Sequence, residues 1–228
     1  MPTYKTLCQM EKARTLVQTL RALKPIIDNR DGSRLKHLRI KSGVLKNSGK
    51  PCIILFAANP LQLSRCVCQS DDLAIHASFA GYIRFPRILP KVDEPLDIIQ
   101  SESGIIGLRF DDIIEWLDPV KAYTTSPIPE QLPQFDFEKN FNAMMKGHTE
   151  GDQNFAVDAR YLKQTLNSIQ TANPNPGEQS VIRVSSLRQT APIWLTDGVN
   201  DHFIMPVRSR NSDAFFTDAH VMKETTDS

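Results

Sequence analysis

Cysteine is scarce in this sequence of 228 residues, which excludes a small disulfide-stapled fold. Cys66 and Cys68 alternate along a predicted strand and would point to the same face, with His76 close by in sequence. No second CxxC or HxxxH cluster completes a set of four metal ligands. We therefore expect no metal, and we interpret the cysteines as buried or partly exposed thiols. The four cysteines are Cys8, Cys52, Cys66 and Cys68.

Long apolar runs are also absent. The longest run, CIILFAA at 52–58, is far too short to span a bilayer. The N-terminal residues MPTYKTLCQMEKAR contain no apolar segment of the kind found in a secretory signal. We expect no membrane association and a cytoplasmic location.

Recognisable catalytic motifs are missing as well: the sequence has no GxxxxGK[ST], GxGxxG, GxSxG or HExxH. Its five histidines are scattered. Asp111, Asp112 and Glu115 cluster in 110–117, a segment that we predict as a short helix. A metal-dependent nuclease built on these carboxylates is the enzymatic alternative; a solvated helix start is the simpler interpretation. We expect that the protein is not an enzyme and binds no cofactor.

Charge is unevenly distributed along the chain. Residues 1–50 contain twelve Lys and Arg but only three acidic residues, a net charge of +9, whereas the whole chain has a net charge of +1. Such asymmetry suggests a polyanion-facing surface on an otherwise acidic body. A solvated basic face without a partner is the alternative.

Two segments show helical periodicity. In 10–27 the apolar residues recur at three- and four-residue steps, and Pro25 ends or kinks the helix. A second helix begins after Asp158, whose carboxylate can cap it, and extends to about residue 170. Each helix has one apolar and one basic face. The basic residues are Arg14, Arg21 and Lys24 on the first helix and Arg160 and Lys163 on the second.

Strand patterns fill most of the remaining sequence and predict an α+β fold with helices on one side of antiparallel sheets. The three prolines of 126–135 indicate an extended connector, and the polar tail 211–228 is expected to be disordered. The predicted strands are 3–10, 37–45, 52–58, 63–69, 73–79, 81–85, 104–110, 181–187, 191–195 and 202–207.

The stretches FAVDARYLKQTLNSI, VIRVSSL, APIWL and FIMPVR, between residues 155 and 210, resemble the closing part of the bacterial DNA sliding clamp family. The positions that follow the family pattern are Asp158, Tyr161, Leu162, Leu166, Pro192, Met205, Pro206 and Arg208, while Val207 replaces a methionine of the family motif. Residues 1–145 resemble a clamp domain less closely: AANPLQL stands where the family has ATDGHRL.

The resemblance implies the DNA clamp fold, with antiparallel sheets outside and helices on the inner face. It implies a clamp-like domain over 1–145, a closing clamp-like region or half-domain over 146–210 and the tail 211–228. Its function would be that of a processivity or accessory factor that encircles or cradles duplex DNA without reading its sequence. The DNA contacts would come from Arg14, Arg21, Lys24, Arg160 and Lys163; ordinary helix-surface charges are the alternative for these five.

The resemblance also implies a hydrophobic groove that binds peptides of DNA polymerase or other replication and repair partners. By matching positions, its walls would be Pro60, Leu63, Met205, Pro206, Val207 and Arg208. Alternatively, Met205 faces the core and Pro206 merely ends a strand. Two clamp domains per chain would close a six-domain ring as a homotrimer. The functional alternative is a clamp-fold interaction module that binds peptides or a host clamp without encircling DNA.

Overall fold

A computed structural model describes residues 3–28, 33, 35–45, 48–119, 136–145, 157–172, 182–186 and 192–206. It contains an α+β architecture of two antiparallel sheets and three α-helices within these ranges. The predicted extended connector at 126–135 and the tail 211–228 lie outside the described residues. Whether 1–145 and 146–210 are separate units remains a prediction.

The first sheet has five strands in the order β5-β1-β7-β8-β9. All its pairings are antiparallel, and a bulge between Thr6 and Cys8 shifts the register of β1 against β7. Its strands are β1 Tyr4–Met10, β5 Ala74–Ile75, β7 Leu96–Ser101, β8 Ile106–Phe110 and β9 Ile113–Trp116.

The second sheet has seven strands in the order β10-β11-β12-β4-β3-β2-β6, again antiparallel throughout. The chain's last three described strands therefore extend the sheet that its early strands begin, because β12 pairs with β4. The strands are β2 His37–Val44, β3 Pro51–Asn59, β4 Gln62–Cys68, β6 Ala80–Arg84, β10 Arg183–Ser186, β11 Ile193–Thr196 and β12 Asp201–Ile204.

The helices lie on both faces of the seven-stranded sheet. The helix α1, Arg14–Leu23, continues as a 3₁₀ turn through Lys24–Ile26, and α3 spans Ala159–Ala172. Both pack on one face, here called the helix face, whereas α2, Phe137–Met145, packs on the opposite face, here called the outer face. The helices α1 and α3 were predicted; α2 was not.

The main core lies between the two sheets and α1. Leu16, Val17 and Leu20 of α1 pack with residues of both sheets, such as Leu55 and Ile98, and all five are at most 1% exposed. Burial of this size stabilises the fold by roughly 1.5–3 kcal/mol for each large apolar side chain. A smaller core joins α3 to β11 and β12.

The short helix predicted at 110–117 is wrong. These residues form the end of β8, a turn and β9, and Asp111 adopts a positive φ of 50° in the turn. The carboxylate of Glu115 is buried, accepts N–H groups of Arg87 and Ile88, and pairs with Arg84 at 2.9 Å. A strand is predicted from alternating apolar and polar residues. Here the charged Glu115 occupies a buried position of β9, so the alternation is not visible in the sequence.

Candidate nucleic-acid interface and peptide surface

The helices α1 and α3 pack side by side and antiparallel on the helix face. Ser168 donates its hydroxyl to the carbonyl oxygen of Ala22 at 2.7 Å, and Gln164 donates its amide to the carbonyl oxygen of Pro25. The partners on α1 move backward as α3 advances, which fixes the antiparallel direction. The two helices thus form one layer from segments that are distant in sequence.

Polar groups also join α3 to the strands below it. Gln62 on β4 donates its side-chain N–H groups to Thr165 Oγ1 at 3.0 Å and to the carbonyl oxygen of Tyr161 at 3.2 Å. Gln62 and Thr165 are 3% and 1% exposed, so these bonds form away from water. Buried polar groups that are satisfied in this way favour one relative placement of their elements.

The five predicted DNA contacts all lie exposed on this helix layer or at its ends. Two of them have carboxylate partners: Arg14 pairs with Asp93 at 2.8 Å, and Arg160 pairs with Asp158 at 2.6 Å. Hydrogen bonds from Arg160 lower the pKa of Asp158. The two arginines therefore present less net charge than the sequence pattern implies.

The other three cations, Arg21, Lys24 and Lys163, form no ion pair with any residue in the described part of the chain. Lys24 extends over the ring of Phe85, with Nζ 5.4 Å from the ring centroid. Flexible, solvated cations on a helix layer suit contacts with phosphate oxygens, which carry affinity without sequence information.

The predicted groove residues are partly brought together. The pairing of β12 with β4 places Met205 beside the β3–β4 turn, where its N–H donates to the carbonyl oxygen of Leu61 at 2.8 Å. Pro60 is exposed, and Met205 and Pro206 are partly exposed. Leu63 is only 2% exposed, because it belongs to the cluster under α2. Val207 and Arg208 lie outside the described residues.

The aromatic cluster under α2 on the outer face was not predicted from the sequence. Phe137 and Phe141 of α2 are buried against Phe56, Leu63 and Phe203 of the sheet. The signals were present: the side chain of Asp136 caps the helix through the N–H of Lys139 at 2.9 Å, and the two phenylalanines are spaced by four residues.

A buried Ser–His pair lies where β4 meets β12. His202 Nδ1 is 2.7 Å from Ser64 Oγ, and both residues are fully buried on the helix face. Burial lowers the pKa of His202 to about 4, so its ring is neutral at pH 7. The pair therefore joins β4 to β12 in the buried interior.

Neither the Cys66, Cys68 and His76 group nor the carboxylates of 110–117 form a metal-ligand cluster in the described residues. Cys66 and Cys68 are buried, burial raises the pKa of both thiols, and His76 is exposed and bonded to Gln9. Across the ranges that the structure describes, no group of three or more His, Cys, Asp or Glu could hold a metal ion. In the same ranges, no helix is long and apolar enough to cross a membrane.

Solved structures that resemble this chain in fold include bacterial sliding clamps. The Helicobacter pylori beta clamp bound to a DNA ligase peptide superposes with a TM-score of 0.56 and 11% identity over 91% of this chain and 67% of the clamp. The Bacillus subtilis DNA polymerase sliding clamp superposes with a TM-score of 0.56 and 13% identity, over 92% of this chain and 66% of the clamp. The Streptococcus pneumoniae DNA polymerase III beta chain superposes with a TM-score of 0.58 and 12% identity, over 92% of this chain and 67% of the beta chain.

These comparisons show that the chain has the DNA clamp fold, and they confirm the predicted fold class. The chain spans about two thirds of the length of these clamps. A scan against protein-family models and a search of curated proteins each found no match.

Proposed function

We propose that this chain is a sliding-clamp-like accessory factor that cradles or encircles duplex DNA and tethers replication or repair partners through a hydrophobic peptide groove. In this proposal it is a non-enzymatic cytoplasmic scaffold without cofactors. Residues 1–145 and 146–210 act as one clamp-like domain and a closing clamp-like region. The clamp fold supports this function, and the geometry of the helix layer carries it.

The observation that carries the proposal is the joint helix layer of α1 and α3. Arg21 and Lys24 are exposed near the end of α1, and Lys163 is exposed in the part of α3 that packs against it. A clamp must attract the phosphate backbone without gripping any one sequence. Three exposed cations on one helix layer meet that requirement.

The test is duplex DNA binding measured over a series of salt concentrations with wild-type protein and the charge-reversal variant Arg21→Glu/Lys24→Glu. Binding should be independent of sequence, weaken steeply with salt, and fall at least tenfold in the variant. Lys139→Glu is the matched control, since Lys139 is an exposed lysine on α2, on the opposite face of the sheet. The double variant changes the net charge by four and the control by two. A loss of binding free energy in the control of about half that in the double variant would therefore show that only overall charge matters, and no loss in either would show that the helix layer does not face DNA.

Ring closure is the oligomeric part of the proposal. Two clamp-like units per chain need three copies, joined head to tail, to complete six units. The strand β10 at the margin of the seven-stranded sheet pairs with β11 on one side and with no described strand on the other, so it can take part in such a joint. Mass measurement at tens of micromolar should give three times the chain mass, and a strict monomer would contradict the ring.

A second candidate is the interaction module without DNA, which is favoured by the carboxylate partners of Arg14 and Arg160 and by the near-neutral net charge of +1. Such a module would bind peptides or a host clamp but show no salt-dependent binding to duplex DNA. The same DNA titration therefore separates the two candidates.

A further inference from the structure

The helix α2 is attached to the outer face by a small number of strong contacts. Phe137 and Phe141 are 0% and 2% exposed, while the rest of the helix is partly or fully exposed. The ring of Phe141 lies edge-on to Phe56 and Phe203, with centroids 5.8 and 5.4 Å away. Two aromatic side chains, one turn apart, are thus the buried anchors of the helix, and the partly buried Met144 and Met145 pack against the same cluster.

Charge complementarity fixes the orientation of the helix. Glu138, next to the first phenylalanine, lies between Arg39 and Lys41 of β2 and pairs with both. At the other end, the guanidinium of Arg65 stacks on the ring of Phe141 at 4.5 Å. The outer face is therefore an apolar cleft that Arg39 and Lys41 border with positive charge at one end, whereas Asp201 compensates the charge of Arg65 at the other. Such a cleft suits an aromatic helix with a carboxylate beside its first phenylalanine.

The cleft extends beyond the helix that occupies it. An open cavity of about 720 Å³ continues from Phe141 and Met145 between the β2–β3 hairpin and the β11–β12 turn. Its walls include Val44 and Val199, which are 66% and 36% exposed. Apolar surface that α2 leaves open is available to a longer segment.

The helix α2 itself is a short element that depends on docking. It has nine residues, below the length at which an isolated helix is stable in water. Its position on the sheet therefore depends on its side-chain contacts.

We propose that the outer face is a docking cleft for amphipathic helical segments with two aromatic residues four positions apart and a carboxylate after the first. In this proposal α2 is the resident occupant in cis, and an external segment of the same pattern binds by displacing it. The inference deepens the proposed peptide groove, with which it shares Leu63, and adds its regulation. A resident competitor lowers the apparent affinity for any external peptide by the fraction of molecules in which the cleft is free.

The experiment uses a fluorescein-labelled peptide with the sequence of residues 136–146 and the full-length protein, followed by fluorescence anisotropy. Wild-type protein should bind the peptide weakly, and Phe137→Ala/Phe141→Ala should bind it at least tenfold more tightly, because the walls of the cleft remain while the resident helix is released. Adding Leu63→Asp to that variant should abolish binding. The matched control is Lys139→Ala, a change on the exposed side of α2 that should leave binding at the wild-type level.

Whether peptide affinity rises or falls in the variant shows whether α2 is a displaceable occupant or a fixed structural helix. Peptide affinity that is unchanged or reduced in a folded Phe137→Ala/Phe141→Ala variant overturns the proposal. Should this variant unfold, Glu138→Ala provides the answer, since it removes the ion pairs to Arg39 and Lys41 without opening a cavity in the core. It should raise peptide affinity severalfold, and no increase overturns the proposal. Because no DNA is present, failure here is distinct from failure of the DNA-binding function.

Discussion

Ser168 Oγ donates a 2.7 Å hydrogen bond to the carbonyl oxygen of Ala22, across 146 positions of sequence, and both residues are 1% exposed. This contact joins α3 to α1 through small side chains, so the two helices approach closely. Their spacing determines where Arg21, Lys24 and Lys163 lie relative to one another. The helix layer that we propose for DNA therefore depends on a buried residue that carries no charge.

Enlarging Ser168 should disturb this layer. Ser168→Leu places a bulky side chain between α3 and α1, and we expect it to lower the free energy of unfolding by about 1–3 kcal/mol. Ser168→Ala removes the hydroxyl and its contacts with the carbonyl oxygens of Ala22 and Gln164, and it should lower the free energy of unfolding by about 1 kcal/mol. Urea denaturation measures both, with Asn167→Ala, an exposed change on the same helix, as the control. Wild-type stability in Ser168→Leu would mean that the helices are not closely packed there.

The cations of the helix layer should not contribute equally to DNA binding. Lys163→Ala should flatten the slope of log affinity against log salt by about one unit. Arg14→Ala should flatten it by less, since Asp93 at 2.8 Å already compensates part of that charge. Titration of one duplex at several salt concentrations gives both slopes. Identical slopes for the two variants would show that the ion pair does not persist when DNA is bound.

Met205 should contribute to peptide binding through its side chain alone. Its N–H bond to Leu61 is a backbone contact, so Met205→Ala keeps the strand end while removing an adaptable apolar group. For the peptide groove of the proposed function, we expect a loss of about 2 kcal/mol in affinity for a clamp-binding peptide. Thermal stability is measured in parallel. A loss that merely follows unfolding would assign Met205 to the core.

Acid should destabilise the junction between β4 and β12. Burial lowers the pKa of His202 from 6.5 to about 4, and that of His37 also to about 4. Between these values the unfolded chain binds more protons than the folded one, so stability is complete above pH 6.5 and falls toward pH 4. Each histidine contributes a slope of up to about 1.4 kcal/mol per pH unit.

The variant His202→Asn tests this pH dependence, since an amide can keep a hydrogen bond to Ser64 but does not titrate. Urea denaturation from pH 4 to 7 should show a shallower decline in this variant than in wild-type protein. Equal slopes in both proteins would show that His202 is not the titrating group.

The sequence alone predicted the elements whose pattern is local. The periodicity of α1 and α3, the cap at Asp158, and the alternation in β2, β3 and β4 each reflect a requirement that neighbouring residues satisfy. Glu115 was misread because its partner, Arg84, is distant in sequence, and a buried ion pair looks like solvated charge until the strands are in place. The aromatic pair of α2 had a readable spacing, but no helix was predicted there, because the prolines of the preceding 126–135 indicated an extended segment.

Tertiary structure decided everything that depends on which elements meet. Arg14 and Lys163 look equivalent in sequence, and only the fold brings Asp93 to the first and leaves the second without an ion pair within the described ranges. The family resemblance predicted that Leu63 forms a wall of the peptide groove. Only the packing of the folded chain shows that α2 covers this residue. Periodicity reveals which face of an element is apolar, because that follows from backbone geometry. What covers that face follows from contacts between residues far apart in the chain, and no local pattern encodes them.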